Sequence, residues 1–215
     1  MELILWYYLL PYDPKQPVIC FDERPCFLIG DRVEPLPMEP GKVAKEHYGY
    51  EKYGCCSVLA AIEPKTGKRV VQVRQKRRKI EFALFIEYLD EQYPEEERIH
   101  LVLDNLNTHS QAALYEQFDA EKAARLARKF NFIFTPVNAS WLNMIEIEFS
   151  ALSRLCLNRR IPCMLKLEKE VLAFFKDRTE KMITINWQFT PKKARETLNR
   201  RYARVNPVNT KYAKT

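Results

Sequence analysis

The chain has 215 residues, of which 47% are hydrophobic and 29% charged, so it is long enough for one domain with a substantial core and too apolar to be disordered throughout. The net charge of +7 and the pI of about 9.0 favour a polyanionic partner such as nucleic acid. The spacing of the cysteines and histidines does not fit a zinc finger, and no segment fits a signal peptide or a membrane span. These features predict a protein of the reduced cytoplasm, associated with the nucleoid and without a membrane partner.

The first half of the chain begins with a short apolar segment, residues 1–16, that ends in a proline-rich stretch. After it, short apolar and β-branched runs predict four strands: 17–21, 26–29, 55–62 and 69–74. Gly30 and Asp31 are predicted to form a turn after the second strand. The last two strands are separated by a proline and glycine turn and are expected to form a hairpin.

The second half of the chain alternates between helical and strand patterns. From Lys79 the apolar residues recur at helical spacing, and strands are predicted at 99–103 and 132–134. Further helices are predicted at 111–130, 141–157 with Ser140 as N-cap, 165–176 and 191–204. Together these elements predict an α/β fold with a mixed sheet and helices on both faces, in which ligands collect at the strand ends.

Two aspartates follow apolar strands directly. Asp22 comes after strand 17–21, and Asp104 comes after strand 99–103. An aspartate in such a position is often only a turn residue or a helix cap. If the two strands are parallel neighbours, however, their carboxyl ends meet at one edge of the sheet and the two carboxylates converge.

A third acidic group lies in the helix predicted at 141–157, which contains both Glu146 and Glu148. The two glutamates flank the apolar stripe of this helix on opposite sides, so helix geometry alone does not choose between them. Asn143 precedes Glu146 by about one turn on the same side and is expected to share its site.

Three converging carboxylates would supply the hard oxygen ligands that Mg²⁺ and Mn²⁺ prefer, and they could hold two such ions for phosphoryl transfer on nucleic acid. Two further polar residues, Asn105 and His109, follow Asp104 closely. They are candidates for orienting water or phosphate, and the alternative is that they satisfy backbone groups of the loop.

Three segments of the sequence resemble the DDE transposases of bacterial insertion sequences, in the branch related to mariner elements: Val18–Arg24, Leu101–His109 and Thr135–Glu146. The resemblance extends from about residue 17 onward and implies a ribonuclease H-like fold. It also implies that Asp22, Asp104 and Glu146 are the catalytic, metal-binding triad, with Glu146 favoured over Glu148. The implied activity is cleavage of double-stranded DNA at the element ends and strand transfer into target DNA, with two Mg²⁺ or Mn²⁺ ions as cofactors.

The resemblance also suggests a division of the chain. We expect a lead-in segment at 1–16, a ribonuclease H-like DDE catalytic domain at 17–160, and a helical, basic extension at 161–215 that packs on the same domain. Asp22 comes so early that the expected helix-turn-helix recognition modules are missing, so we expect the catalytic domain alone, acting as a homo-oligomer or with a partner that carries such modules. The alternatives are a truncated, non-catalytic DNA-binding remnant or partner subunit of a full-length transposase, and a structure-selective nuclease of the same fold.

Basic residues form dense runs between a predicted strand and helix, after the Glu146 helix, and in the tail. Such runs are usually solvated surface, but beside a nuclease site they favour contact with DNA phosphates. The residues predicted to make these contacts are Arg77, Arg78, Arg159 and Arg160.

Overall fold

The fold is built on one five-stranded sheet. The computed structural model describes residues 1–212 of the chain. Its strands are β1 (Val18–Asp31), β2 (Tyr50–Ile62), β3 (Arg69–Arg74), β4 (Ile99–Leu103) and β5 (Phe130–Phe134). The strand order is β3-β2-β1-β4-β5. β1 pairs with β2, and β2 with β3, in antiparallel fashion, whereas β4 is parallel to both β1 and β5. The sheet is therefore mixed, as predicted.

Helices cover both faces of this sheet. They are α1 (Glu2–Leu9), α2 (Lys79–Glu91), α3 (Gln111–Gln117), α4 (Ala120–Lys129), α5 (Ile145–Leu155), α6 (Met164–Glu180), α7 (Pro191–Thr197) and α8 (Asn199–Val205). Successive residues of β1 point to opposite faces. Ile19 and Phe21 pack in one apolar cluster with α2, α3 and α4. Cys20 packs in the other cluster with α1, α5 and α6. The predicted fold class is confirmed.

The first strand differs from the prediction. Residues 26–29 belong to the continuous 14-residue β1, and no turn forms at Gly30 and Asp31. Instead Gly30 pairs with Glu51, and Asp31 pairs with Tyr50. The turn does not form because β2 extends back to Tyr50 and pairs with β1 as far as Asp31. The pairing register shifts once, after Leu28.

Two predicted helices are interrupted. The helix predicted at 111–130 is broken between α3 and α4, where the Asp119 carboxylate accepts a hydrogen bond from the Lys122 amide at 3.0 Å and caps α4. The tail helix predicted at 191–204 is broken at Leu198, between α7 and α8. By contrast, the helix predicted at 165–176 lies within α6.

The first helix is attached to the last ones. Ile4 and Leu5 of α1 are buried in the core, and the Glu2 carboxylate accepts hydrogen bonds from Arg195 at 2.6 and 2.8 Å and from the Tyr202 hydroxyl at 2.6 Å. The hydrogen bonds from Arg195 lower the pKa of Glu2 to about 2. The division at residues 16 and 160 stays a prediction, and the end of the proposed extension, 213–215, lies outside the described residues.

In the part of the chain that the structure describes, no helix combines the length and the apolar character needed to cross a bilayer.

Candidate active site

The register between β1 and β4 brings the two predicted aspartates together. Cys20 is paired with Val102 in this parallel ladder. Continuing the same register by two residues places Asp104, just after β4 ends, beside Asp22. Asp22 does not end its strand, as the sequence suggested, but lies within β1, where Ala60 of β2 is its partner on the other side. Asp104 and Asp22 therefore come together where β4 ends, although β1 continues past Asp22.

The third carboxylate comes from the first turn of α5. Just before this helix, the fully buried Asn143 donates a hydrogen bond from its side-chain amide to the Phe21 carbonyl at 2.7 Å. The Asn143 carbonyl in turn accepts from the Glu146 amide at 3.2 Å. This contact fastens the start of α5 to β1 one residue before Asp22, so it positions Glu146 relative to Asp22.

The same contact explains why α5 begins later than predicted. Ser140 makes no side-chain capping bond and begins a short 3₁₀ turn, and Asn143 has an extended backbone with φ of −82° and ψ of 116°. The helix therefore starts at Ile145. The Asn143 amide binds β1, and that tertiary bond overrides the local N-cap signal.

The choice between the two glutamates of α5 is decided by their partners. Glu148 is fully buried, and its two oxygens accept hydrogen bonds from Arg69 at 2.8 and 3.0 Å and from Arg178 at 2.8 and 2.9 Å. These two guanidinium groups occupy both oxygens, so Glu148 has a structural role. Glu146 is exposed and its charge acts on Asp22, so it is the glutamate available for a metal.

The electrostatics of Asp22 fit a site for cations. The pKa of Asp22 is raised to about 7, chiefly by burial and also by the negative charges of Asp104 and Glu146. A hydrogen bond of 2.7 Å from the Glu23 amide and the charge of His109 act in the opposite direction. Carboxylates that repel one another in a partly buried cleft are stabilised by a divalent cation, and their oxygens are the ligands that Mg²⁺ and Mn²⁺ prefer.

These carboxylates do not form a closed cage. Within residues 1–212, no three side chains among the histidines, cysteines, aspartates and glutamates are close enough to enclose one ion. The chemistry of the donor set fits divalent cations, and the charges of Asp104 and Glu146 both act on Asp22.

His109 holds Asp104. Its Nδ1 atom lies 2.5 Å from Asp104 Oδ1, and its Nε2 atom lies 3.4 Å from Glu23 Oε1 without hydrogen-bond geometry. Burial lowers the pKa of His109, but Asp104 and Glu23 outweigh that effect and raise the pKa to about 9. Burial raises the pKa of Asp104, and the hydrogen bond from His109 brings it below its usual value. His109 is thus a cation between two carboxylates at neutral pH.

The ring of His109 is fixed by packing. Its centroid lies 4.9 Å from that of Phe82 and 5.3 Å from that of Phe21, and the side chain is fully buried. Asn105, the other predicted auxiliary residue, is exposed and makes no side-chain hydrogen bond to any described residue. Of the two, the structure ties only His109 to Asp104.

Sequence reasoning missed three residues around the site: Glu23, Arg69 and Arg178. Glu23 had a usable signal, because it is an acidic residue inside an apolar strand, next to Asp22. Arg69 and Arg178 had none, since they are 79 and 30 residues away from Glu148 in sequence.

The four arginines predicted to contact DNA differ in their surroundings. Three are ion-paired: Arg78 with Glu81 at 2.7 Å, Arg159 with Glu170 at 2.5 Å and Arg160 with Asp31 at 2.6 Å. Arg160 also donates to the backbone carbonyls of His47 and Gly49. Arg77 is exposed, forms no ion pair among residues 1–212, and helps to lower the pKa of Asp104. Arg77 is thus the arginine with a free charge beside the carboxylates.

A family profile matches most of the chain. Residues 17–168 match the profile of the family described as DDE superfamily endonuclease. The chain belongs to this family. The match covers most of the chain, including Asp22, Asp104 and Glu146, so this chain contains a DDE-type transposase or endonuclease domain. No curated protein sequence is significantly similar to the chain.

Among solved structures, this DDE domain is similar to the mariner transposase Mos1. The pre-cleavage Mos1 transpososome has 12% identity and a TM-score of 0.56 over 87% of this chain and 61% of that one. The Mos1 paired-end complex with Mg has 12% identity and a TM-score of 0.55 over 85% and 54%. The complex with Mn has 12% identity and a TM-score of 0.53 over 85% and 56%. The ribonuclease H-like fold is confirmed, and the chain spans little more than half of the Mos1 chains it matches.

The Asn143 contact gives a testable prediction about the DDE domain. Asn143→Ala removes a buried hydrogen bond and leaves the Phe21 carbonyl without this donor, so the free energy of unfolding is expected to fall by about 1–3 kcal/mol. Urea titration followed by circular dichroism measures the change. Asn105→Ala, at an exposed position, is the matched control and should stay within about 0.5 kcal/mol of the wild type. Equal stability of the two variants would contradict a positioning role for Asn143.

Proposed function

We propose that this chain is the catalytic domain of a DNA transposase that cleaves phosphodiester bonds at element ends and joins them to target DNA. The observation that carries the proposal is the parallel register of β1 and β4, which supports a position of Asp104 beside Asp22. The bond from Asn143 to β1 supports a position of Glu146 near the same pair, and the charges of Asp104 and Glu146 both act on Asp22. Membership of the DDE superfamily endonucleases supports the same conclusion.

The proposed cofactors are two Mg²⁺ or Mn²⁺ ions, held by Asp22, Asp104 and Glu146. Such ions would supply a nucleophilic oxygen at neutral pH and stabilise the charge of the leaving oxygen. Structures of Mos1 paired-end complexes with Mn and with Mg support this choice of metals. Asp104 is kept ionised and oriented by His109, and Asn143 keeps Glu146 at the same end of the sheet.

The proposed partner is double-stranded DNA, both element ends and target. The net charge of +7 supplies non-specific affinity, and Arg77 places an unpaired guanidinium near Asp104. The Mos1 complexes with paired transposon ends support DNA ends as ligands. A second copy of the chain, or a subunit that carries recognition modules, would complete the assembly.

Arg77 gives a prediction about DNA affinity. Arg77→Ala should weaken binding to a random duplex and reduce the slope of log K against log salt concentration by about 0.9, the value for one phosphate contact. Fluorescence anisotropy at several salt concentrations measures both. Arg159→Ala is the control of equal charge, and it should change the slope less because Arg159 is paired with Glu170. Identical slopes for the two variants would exclude Arg77 as a phosphate contact.

The experiment that tests the function combines three readouts on one plasmid. Wild-type protein with Mn²⁺ is expected to nick supercoiled DNA and to join a labelled end to it. Nicking without any joining would assign the domain to a structure-selective nuclease instead. Binding without nicking, unaffected by changes at Asp22, Asp104 or Glu146, would assign it to a non-catalytic DNA-binding partner of a full-length transposase.

A further inference from the structure

A second site lies away from the carboxylates. A cavity of about 750 Å³ opens between α1, the start of β1, the end of β2 and residues 184–187. Val18 lines it, four residues and about 13 Å along β1 from Asp22. His100, near the start of β4, lines it as well. The cavity is therefore at the opposite end of the parallel pair from Asp22 and Asp104, and its volume suits a small organic molecule.

Five of the 18 described residues that line this cavity carry aromatic rings. They are Tyr7, Tyr8, Tyr12, His100 and Trp187. Tyr7 and His100 have their centroids 4.8 Å apart, and Tyr8 and Trp187 are 5.5 Å apart with a T-shaped geometry. Contacts between these rings hold the walls in place without a ligand, so the cavity is preformed.

Glu63 lines the cavity, and its buried carboxylate forms no ion pair with any described residue. Glu63, at the end of β2, is only 4% exposed. Its Oε2 atom accepts a hydrogen bond from the Tyr93 hydroxyl at 3.1 Å, while Oε1 has no hydrogen-bond partner among the described residues. Burial raises the pKa of Tyr12, and the nearby charge of Glu63 raises it as well. The Tyr12 hydroxyl and the Glu63 carboxylate nevertheless do not meet the geometric criteria for a hydrogen bond. Buried carboxylates normally have a paired cation.

Neither of the two lysines near this carboxylate pairs with it. The Lys68 ammonium lies over the Tyr93 ring, 3.6 Å from its centroid, and donates to the Gln92 carbonyl. Lys65 lines the cavity, but its ammonium group donates to the Leu10 carbonyl instead.

Asp13 also lines the cavity and adds a second negative charge. Glu96, whose charge acts on Tyr12 and Tyr93, has one buried oxygen without a hydrogen-bond partner among residues 1–212. An acidic, aromatic cavity in a protein of net charge +7 selects for positive ligands.

We propose that this cavity binds a small organic cation, an alkylammonium or alkylguanidinium, with its charged group against Glu63 and its apolar body between the aromatic rings. Aromatic faces attract such cations, and the unpaired carboxylate completes the site. A metal ion fits less well, because Mg²⁺ and Ca²⁺ require six or more oxygen ligands and only two carboxylates of the described residues, those of Asp13 and Glu63, line the cavity. The same chemistry could come from a free amine or from a basic side chain of another chain.

The test is isothermal titration calorimetry on the full chain, without DNA or divalent metal, so that its outcome is independent of the proposed catalysis. Cadaverine and agmatine are expected to bind saturably, with one site per chain. The control is 1,5-pentanediol, which has the same carbon chain as cadaverine but no charge, and it is not expected to bind. If N-acetyl-arginine amide binds more tightly than agmatine, the natural ligand is a basic side chain of another chain. If agmatine binds more tightly, the natural ligand is a free amine or guanidine.

Two variants locate the site. Glu63→Gln should weaken cation binding by about tenfold or more, as expected when a charge-assisted contact is lost. Glu180→Gln makes the same change of charge at an exposed position on α6 and should leave binding unchanged. Because Glu63 is buried, Tyr12→Ala is added: the ring is half exposed, so the fold should survive while affinity falls. Absence of saturable heat with both cations, or wild-type affinity in a folded Glu63→Gln or Tyr12→Ala variant, would overturn the proposal.

Discussion

Asp104→Asn is expected to reduce nicking of supercoiled plasmid DNA in Mg²⁺ or Mn²⁺ by about a thousand-fold or more. The physical reason is that metal ions contribute several kcal/mol of transition-state stabilisation, and each 1.4 kcal/mol corresponds to about a factor of ten in rate. Asparagine keeps the shape of the side chain but removes the negative charge that would hold the ions. The initial rate of conversion from supercoiled to open-circular DNA measures the effect.

The control for this experiment is Asp177→Asn, which makes the same change at an exposed residue of α6 that pairs with Lys181. It should nick DNA at the wild-type rate. Glu146→Gln adds a second test, because Glu146 is exposed and its replacement should abolish nicking without altering the unfolding curve. Wild-type activity in a folded Asp104→Asn protein would remove the basis of the proposed function.

Glu148→Ala is expected to lower the free energy of unfolding by about 3–5 kcal/mol, because it leaves the buried guanidinium of Arg69 and that of Arg178 without their counter-charge. A loss of this size is a large part of the stability of a typical domain. Chemical denaturation of the purified variant measures it.

Glu146→Ala is the matched control, two residues earlier on the same helix. It should change the free energy of unfolding by no more than about 0.5 kcal/mol, as for other exposed positions. The two variants therefore separate the roles of the two glutamates: one change removes activity and the other removes stability. If Glu146→Ala were the more destabilising variant, the assignment of Glu148 as the structural glutamate would be wrong.

The contribution of Glu148 also depends on pH. Burial raises the pKa of Glu148, but the hydrogen bonds from Arg178 and Arg69 outweigh burial and bring it below its unfolded value. The stabilisation is therefore complete above the unfolded pKa, about 4.3, and is lost as the pH falls through the lower folded value. The difference in unfolding free energy between wild type and Glu148→Ala should stay constant near neutral pH and narrow under acid conditions. A difference that grew on acidification would contradict the sign of this shift.

The meeting of Asp22 and Asp104 was predictable because it depends on local signals. Each aspartate follows an apolar run that is long enough for a buried strand, and parallel pairing of these runs brings the two side chains together where β4 ends. The length of β1 was not predictable in this way, since its second half is stabilised by pairing with residues of β2 that carry no strong strand signal of their own.

The choice between Glu146 and Glu148 shows what helix periodicity leaves open. Both glutamates flank the apolar stripe of α5. In the structure they differ because Arg69 of β3 and Arg178 of α6 donate hydrogen bonds to Glu148. The late start of α5 likewise depends on a contact of Asn143 with β1, 122 residues away in sequence. The partners of Glu148 and the start of α5 both depend on contacts between residues that are far apart in sequence, so a local sequence pattern does not predict them.

The attachment of Glu2 to Arg195 and Tyr202 has a consequence for biosynthesis. The polar partners of α1 follow Glu2 by 193 and 200 residues, so this helix lacks its anchor while the intervening residues are synthesised. Its apolar residues Ile4 and Leu5 belong to a core cluster that also includes Ala194 of α7, so the cluster is complete only when α7 docks. Nascent chains arrested before residue 195 should therefore be cleaved by protease in α1, and released full-length chains should resist cleavage there.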